Sequence, residues 1–321
     1  MEKKLKKRLK TALKIIVSVS LISYVVYSTG PEKIYNELVG LNKLLFLAVM
    51  TMAIFKVAIS AKKWEILLRA KGERKPFFEV LRIYYIGTFF NLFLPTNVGG
   101  DVVKAHKMSK ISKKSVEAYS SVFMERFTGL VAIISLAVIS SLSYIDSLPF
   151  YPLVIVFFVF LPLMLLASFL LSRKKYVKGL QNLMNRLIPN YNPFSIKEKI
   201  LRFYRSLHLY TKKRKVLAYA LGISFVFHTA HIMINYILSL SLGMSIPIQY
   251  FFLFIPITAV LLFLPISIRG FGVREVLYVL FFTQVGATPA QAVSLSFIVQ
   301  VVNIINSLIG GGFYLWSGTR R

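Results

Sequence analysis

The chain has 321 residues, 56% of them hydrophobic, with a mean hydropathy of +0.65, no Cys and a formal charge of +28. A soluble domain of this length needs far more polar surface, and repeated apolar runs of about 20 residues, each able to cross a hydrocarbon core of roughly 30 Å, account for the excess; without Cys, disulfide and thiol chemistry are excluded. Such a charge would point to nucleic acid on a soluble fold, but most of the 40 Lys and Arg cluster beside apolar spans, where they report orientation and contact with anionic headgroups, so no nucleic acid is expected as a partner.

Six basic residues (Lys3, Lys4, Lys6, Lys7, Arg8 and Lys10) precede the first apolar stretch and imitate a signal peptide. No small-residue cleavage pattern follows, so the stretch is read as a retained helix over about Thr11 to Ser28. The segment from Gly30 to Gly40 carries Glu32, Lys33 and Glu37 and reads as a short connection. A second helix is predicted from about Leu44 to Ala61, with six basic residues between Lys62 and Lys75 after it. Basic outer ends around a near-neutral connection give an inside–outside–inside hairpin.

The next apolar stretch, Phe77 to Leu94, runs into Pro95, Thr96, Asn97, Val98, Gly99, Gly100 and Asp101, and then into Lys104, Lys107, Lys110, Lys113 and Lys114. A full crossing here would export that basic group and the 13 Lys and Arg between Arg173 and Lys215. A re-entrant hairpin avoids this. One limb enters from the cytoplasm, turns at Pro95 to Gly100 and returns through Asp101 to Lys110; irregular backbone at this depth is tolerated where protein buries it or it lines a wet cavity.

A third helix is predicted from Val116 to Ser143, leading to an outer loop charged only at Asp146, and a fourth from Pro152 to Leu171. Within the basic cytoplasmic loop 173–215, Tyr176 to Leu187 and Ile196 to Tyr210 read as amphipathic helices on the leaflet surface. A fifth helix spans Val216 to Leu242. A second broken segment follows: Gln249 to Leu264, the turn Pro265 to Gly272, and Val273 to Val285, entering from outside. The sixth helix, Pro289 to Trp316, ends on Arg320 and Arg321. The expected fold is thus an all-α integral membrane protein with about six transmembrane helices and two re-entrant broken helical hairpins. It is a single membrane domain whose N- and C-termini both lie in the cytoplasm.

The two broken segments share a pattern, Phe93-Leu94-Pro95 with Gly100 and Phe263-Leu264-Pro265 with Gly270, each glycine five residues past its proline. Each is flanked by full spans, and the flanking charges have opposite sidedness. A first repeat over about 44–143 and a second over about 216–316 would therefore form an inverted repeat, an architecture that places transporter sites near the midplane between discontinuous helices.

Several strings resemble the transmembrane region of the lysylphosphatidylglycerol synthase/flippase family. They are Asn91 to Pro95 with Gly99, Gly100 and Asp101; Glu125-Arg126 with Gly129 and Leu130; Leu264-Pro265 through Gly270, Gly272, Arg274 and Glu275; and Gly310 to Gly312. The likeness covers nearly the whole chain and implies a lipid-directed role. Synthase members append a soluble aminoacyl transferase domain; this chain ends at Arg321 without one, so lipid aminoacylation is not expected. Arg269 occupies a turn position where glycine or a small polar residue is expected.

These residues define a candidate site for a lipid phosphate. Helix-start amides at a mid-membrane turn favour anions, Gly99, Gly100, Gly270 and Gly272 permit positive φ and close approach, and Lys104, Arg269 and Arg274 add charge. Asp101, Glu125 and Glu275 can pair with these cations when the site is empty. Bland readings stand beside each assignment. The prolines and glycines allow tight packing, Glu125 and Arg126 form a structural pair, Lys104 snorkels to the cytoplasm, and Asp101 caps its helix. Gln300, Asn303 and Asn306 hydrogen-bond between helices, while His228 and His231 pack among aromatics rather than hold a metal. The expected function is a flippase-like transporter in the cytoplasmic (inner) membrane. It would act on anionic or phosphate-headed lipids, use no cofactor or metal, and carry out no catalysis; an oligomer is compatible with the sequence. The rivals are a membrane transferase acting on polyprenyl phosphates, disfavoured by only 12 acidic residues, and a non-transporting assembly factor.

Overall fold

The computed structural model of the protein describes residues 2–94, 98–142, 196–263 and 267–318, with Val159, Leu161, Pro162, Leu163 and Leu166 besides. Among the described residues the chain is all-helical, with no strand. The elements are α1 (Glu2–Thr29), α2 (Pro31–Val39), α3 (Lys43–Arg69), α4 (Phe77–Asn91), α5 (Gly99–Ser112), α6 (Ser115–Leu142), α7 (Ile196–Thr211), α8 (Arg214–Ser241), α9 (Ile248–Leu261), α10 (Val273–Phe282), a 3-10 turn (Thr283–Val285) and α11 (Pro289–Gly318). Among the described residues four of these, α3, α6, α8 and α11, are long and apolar enough to cross a membrane, and α1 with α2 passes the same test only if the bent pair counts as one span. Apart from those five residues the predicted fourth span lies outside the described residues, as do the loop at Asp146, the amphipathic segment Tyr176 to Leu187, Pro95 and Pro265.

The segment expected as a connection between Gly30 and Gly40 is instead helical. Gly30, at φ 90°, takes a conformation other residues avoid, and Pro31 supplies a helix start that needs no N–H partner, so the chain turns by 82° into α2. Ile34 then packs with Val25 and Val293. The broken segments are interrupted where the sequence places them: among the described residues, 92–94, 98, 262–263 and 267–272 belong to no helix.

The described chain forms two compact units. The first comprises Met1–Val57, Tyr85–Gly100 and His228–Arg321, the second Ala58–Tyr84 and Asp101–Phe227. In the first, α10 packs on α11 and α11 on α2, with α1 against both α10 and α11. Aromatic rings fill this core: Phe254 stacks on Phe281 at 5.1 Å between centroids, and Phe251 meets Phe282 at 4.9 Å. Gly310 of α11 lies so close to the Tyr85 carbonyl oxygen that a Cβ would stand 1.9 Å from it.

In the second unit α6 packs against α7. Trp64, Leu68, Val80, Ile83, Met108 and Val122 form one buried cluster, and Leu67, Leu207, Tyr210 and Ala220 form another. Tyr210, fully buried, donates its hydroxyl to the Leu67 carbonyl at 2.9 Å, so the amphipathic helix is fastened to the end of α3.

Candidate functional site

In the second unit, α5 presents Asp101 and Lys104 one turn apart, on the same face. Opposite them α6 presents Glu125 and Arg126. Lys104 Nζ donates to Glu125 Oε2 at 2.6 Å and lies 3.3 Å from Asp101 Oδ1, and Arg126 Nε donates to Asp101 Oδ2 at 2.5 Å. The expected Glu125–Arg126 pair is thus exchanged for two pairs that join different helices. Lys104 is 2% exposed. It does not snorkel, and its ammonium sits 4.1 Å from the Tyr84 ring centre and 5.0 Å from that of Trp64. Tyr84 donates its hydroxyl to Glu125 Oε1 at 2.8 Å. Both Asp101 oxygens meet these cations.

Sequence reasoning missed Lys63, Trp64 and Tyr84 in this network. Lys63 Nζ donates to the Glu125 carbonyl at 3.0 Å and to Ser224 Oγ at 3.1 Å, and Trp64 Nε1 donates to Ser121 Oγ at 2.9 Å. In the sequence Lys63 reads only as one of the basic residues at the end of a span. Its partner Ser224 is 161 positions away, which no local pattern reveals.

In the first unit, Asn91 Oδ1 accepts the Gly100 N–H at 2.6 Å. The amide that the turn would offer an anion is capped by the chain itself. Gly99 and Gly100 also lack the positive φ expected of them. They open α5, and a Cβ on Gly100 would lie 2.0 Å from the Gly87 carbonyl oxygen, so close packing is what selects glycine there. Gly270 and Gly272 do take φ of 81° and 82°, and Arg269 takes φ 53°, the left-handed conformation that a non-glycine residue adopts only under constraint.

Glu275 is fully buried at the start of α10, where its Oε2 accepts the Gly272 N–H at 2.6 Å and its Oε1 accepts Ser296 Oγ–H at 2.8 Å. Both carboxylate oxygens are therefore engaged away from Arg274. Arg274 lies within electrostatic reach of Arg269, of Lys56 on α3 and of His231 on α8, and His231 also faces His228. Arg274 Nη1, His231 Nδ1 and Gln300 Nε2 are buried with no hydrogen-bond partner among the described residues. Gln300 is 4% exposed and sits one turn along α11 from Ser296. Native proteins rarely leave such donors unmet, because each costs a desolvation penalty. The clustering of Arg274 with Arg269 and Lys56 suits an anion. Lys56 and the pair His228/His231 enter here as additions to the predicted set. Asn306 does bond between segments, accepting from Tyr85 Oη at 3.3 Å and donating to the Ala53 carbonyl at 3.1 Å. Among the described residues no three metal-ligating side chains converge.

Long apolar helices, two interrupted segments and charges buried inside the helical packing define a multi-pass α-helical membrane protein. The chain belongs to the family described as the lysylphosphatidylglycerol synthase TM region, whose profile matches residues 11–311. It is similar to a UPF0104 membrane protein of Pyrococcus horikoshii, 24% identical over 94% of this chain and 96% of that one. It is also similar to UPF0104 membrane proteins of Methanocaldococcus jannaschii (23% identical, 94% and 93% covered) and Methanothermobacter thermautotrophicus (21%, 92% and 91%). No solved structure matches the chain.

Proposed function

We propose that the protein moves a phosphate-bearing lipid across the cytoplasmic membrane, with Arg274, Arg269 and Lys56 receiving the phosphate while the acyl or prenyl tails stay in the bilayer. The observation that carries this reading is the half-buried Arg274, whose Nη1 is enclosed yet has no hydrogen-bond partner among the described residues, beside a Glu275 whose oxygens are both committed elsewhere. A cation kept this way at membrane depth faces a ligand or a wet cavity, since burial alone would be costly. Gln300 Nε2 and His231 Nδ1 supply neutral donors to the same anion. Lys104, by contrast, is satisfied by Glu125 and Asp101, so its contribution is to fasten α5 to α6. The ends of α4 at Asn91 and of α9 at Leu261, with new helices opening at Gly99 and Val273, support the two-hairpin, inverted-repeat arrangement with six crossings, both termini in the cytoplasm and the basic stretches on that side. The protein acts as a transporter and not as an enzyme.

The test is binding and flipping of labelled phospholipids and polyprenyl phosphates by purified protein in liposomes. A charge-assisted contact to phosphate contributes on the order of 1.5–3 kcal/mol. Arg274→Gln should therefore weaken apparent affinity roughly 10- to 150-fold. Arg274→Lys, which keeps the charge but loses the planar fork, should restore it only in part. Unchanged affinity and flipping in folded Arg274→Gln and Lys56→Met proteins would remove the site and favour the assembly-factor reading.

A further inference from the structure

Within the second unit lies a cleft of about 620 Å³ unrelated to the buried network just described. Its walls come from the end of α3, the α5–α6 connection, α7 and the residue before α8. Among the described residues six cations line it, Lys71, Lys113, Lys114, Arg202, Arg205 and Lys213, against a single lining carboxylate, Glu117.

The default explanation of basic residues beside spans is orientation in the membrane, which needs only their number on one side. It does not explain their convergence. Residues from four chain segments, far apart in sequence, face one cavity whose walls are tied together through the cations themselves. Lys71 Nζ donates to the Ser206 carbonyl and lies 4.2 Å from the Tyr210 ring centre, and Lys213 Nζ donates to the Ala70 carbonyl at 2.5 Å. Across the same wall Ser120 and Ser206 share a hydrogen bond of 2.8 Å between their hydroxyls. Lys113 is held at φ 56°, one of only two non-glycine residues with positive φ among those described. Lys114 is drawn off to Glu73 at 2.9 Å, which leaves the rest of the cleft strongly positive.

We propose that this cleft binds a phosphate group carrying two or more negative charges, at a site built from residues other than those around Arg274. The volume exceeds what a lone phosphate needs and suits a headgroup or a polyphosphate. Arg202 and Arg205 reach from one face of α7, where guanidinium forks match phosphate oxygens. The field inside the cleft acts on Lys71 as well. Burial pulls its ammonium down to about 8, Glu117 opposes the fall, and Lys213 adds to it. An arriving dianion relieves that strain.

The ligand chemistry has two sources, a lipid phosphomonoester in the leaflet or a soluble polyphosphate, and two arms separate them. In one, full-length protein in phosphatidylcholine nanodiscs is titrated with pyrophosphate by calorimetry. In the other, native mass spectrometry counts phosphatidic acid retained from nanodiscs that contain it, against phosphatidylcholine. Binding in the first arm assigns a soluble ligand, and selective retention in the second alone assigns a lipid headgroup. Arg202→Gln/Arg205→Gln should lose at least about tenfold in affinity in the arm that binds, Arg205→Lys less, and binding should weaken as salt rises. Glu117→Gln should tighten it. Lys110→Gln/Arg74→Gln, which removes equal charge outside the cleft, is the control. The proposal is overturned if neither arm shows binding above the phosphatidylcholine background, or if the control pair loses as much as the cleft pair. Because Arg274→Gln leaves the cleft intact, binding that survives in that variant separates this site from the proposed transport site.

Discussion

Two buried lysines and one half-buried arginine show how differently a membrane protein can hold a cation. Lys104 is surrounded by two carboxylates and two aromatic rings, Lys63 by a backbone carbonyl and a serine hydroxyl, and Arg274 keeps an unmet nitrogen. A buried pair gives little net stability over an apolar replacement, but breaking it strands a charge and costs about 3–5 kcal/mol. Lys104→Met and Glu125→Gln should therefore each lower stability by about that much. The double variant, with Asp101 and Arg126 still paired, should recover most of the loss. Thermal unfolding of the purified protein and its three variants closes the double-mutant cycle, and single variants as stable as the parent would contradict the pairing. Arg274→Gln should cost less stability, since the Nη1 it removes has no hydrogen-bond partner among the described residues. That difference separates the fastening cations from the ligand-facing one. Charge type was legible at Asp101, Lys104, Glu125, Arg126 and Arg274, because a charge inside an apolar run is conspicuous. Pairing was not legible: Arg126 is adjacent in sequence to Glu125 yet bonds Asp101, since neighbours on a helix point in different directions.

At the scale of elements, glycine has two distinct jobs in this chain. At 30, 270 and 272 it supplies positive φ, whereas at 100 and 310 it supplies room for a backbone carbonyl. The run Gly310–Gly311–Gly312 separates the cases further. A Cβ at 310 would stand 1.9 Å from the Tyr85 carbonyl oxygen, while at 312 it meets nothing within 4 Å. Gly310→Ala should thus force α11 from its neighbour and lower the unfolding temperature and the yield of folded protein. Gly312→Ala should be neutral or stabilise by up to about 1 kcal/mol through helix propensity. Equal effects at both positions would show that helix flexibility, not close approach, selects these glycines. Helix interruptions were readable because proline and glycine punctuate apolar runs. The nine-residue α2 was not, since its Glu32, Lys33 and Glu37 look like a loop until Ile34 is seen against Val25 and Val293. Long-range packing, which the sequence does not display, holds it.

At the scale of the whole molecule the distribution of charge argues a topology. The last turn of α5, the connection after it and the segment from α7 to α8 carry Lys110, Lys113, Lys114, Arg202, Arg205, Lys212, Lys213, Arg214 and Lys215, and basic residues resist export. The stretch around α2 carries Glu32, Lys33 and Glu37, with no basic excess. If Phe77–Asn91 and Gly99–Ser112 form one re-entrant hairpin, the side of the membrane is the same before α4 and after α5; if they form one crossing, it is reversed. The two cases are separable because the chain has no Cys, so a single introduced thiol reports alone. Lys113→Cys should react with an impermeant maleimide only after the cells are permeabilised, and Tyr35→Cys, 66% exposed on α2, should react in intact cells. Labelling of both positions in intact cells would place the basic connection outside. The segment between Phe77 and Ser112 would then be a crossing, and the six-span, two-hairpin arrangement would fall with it.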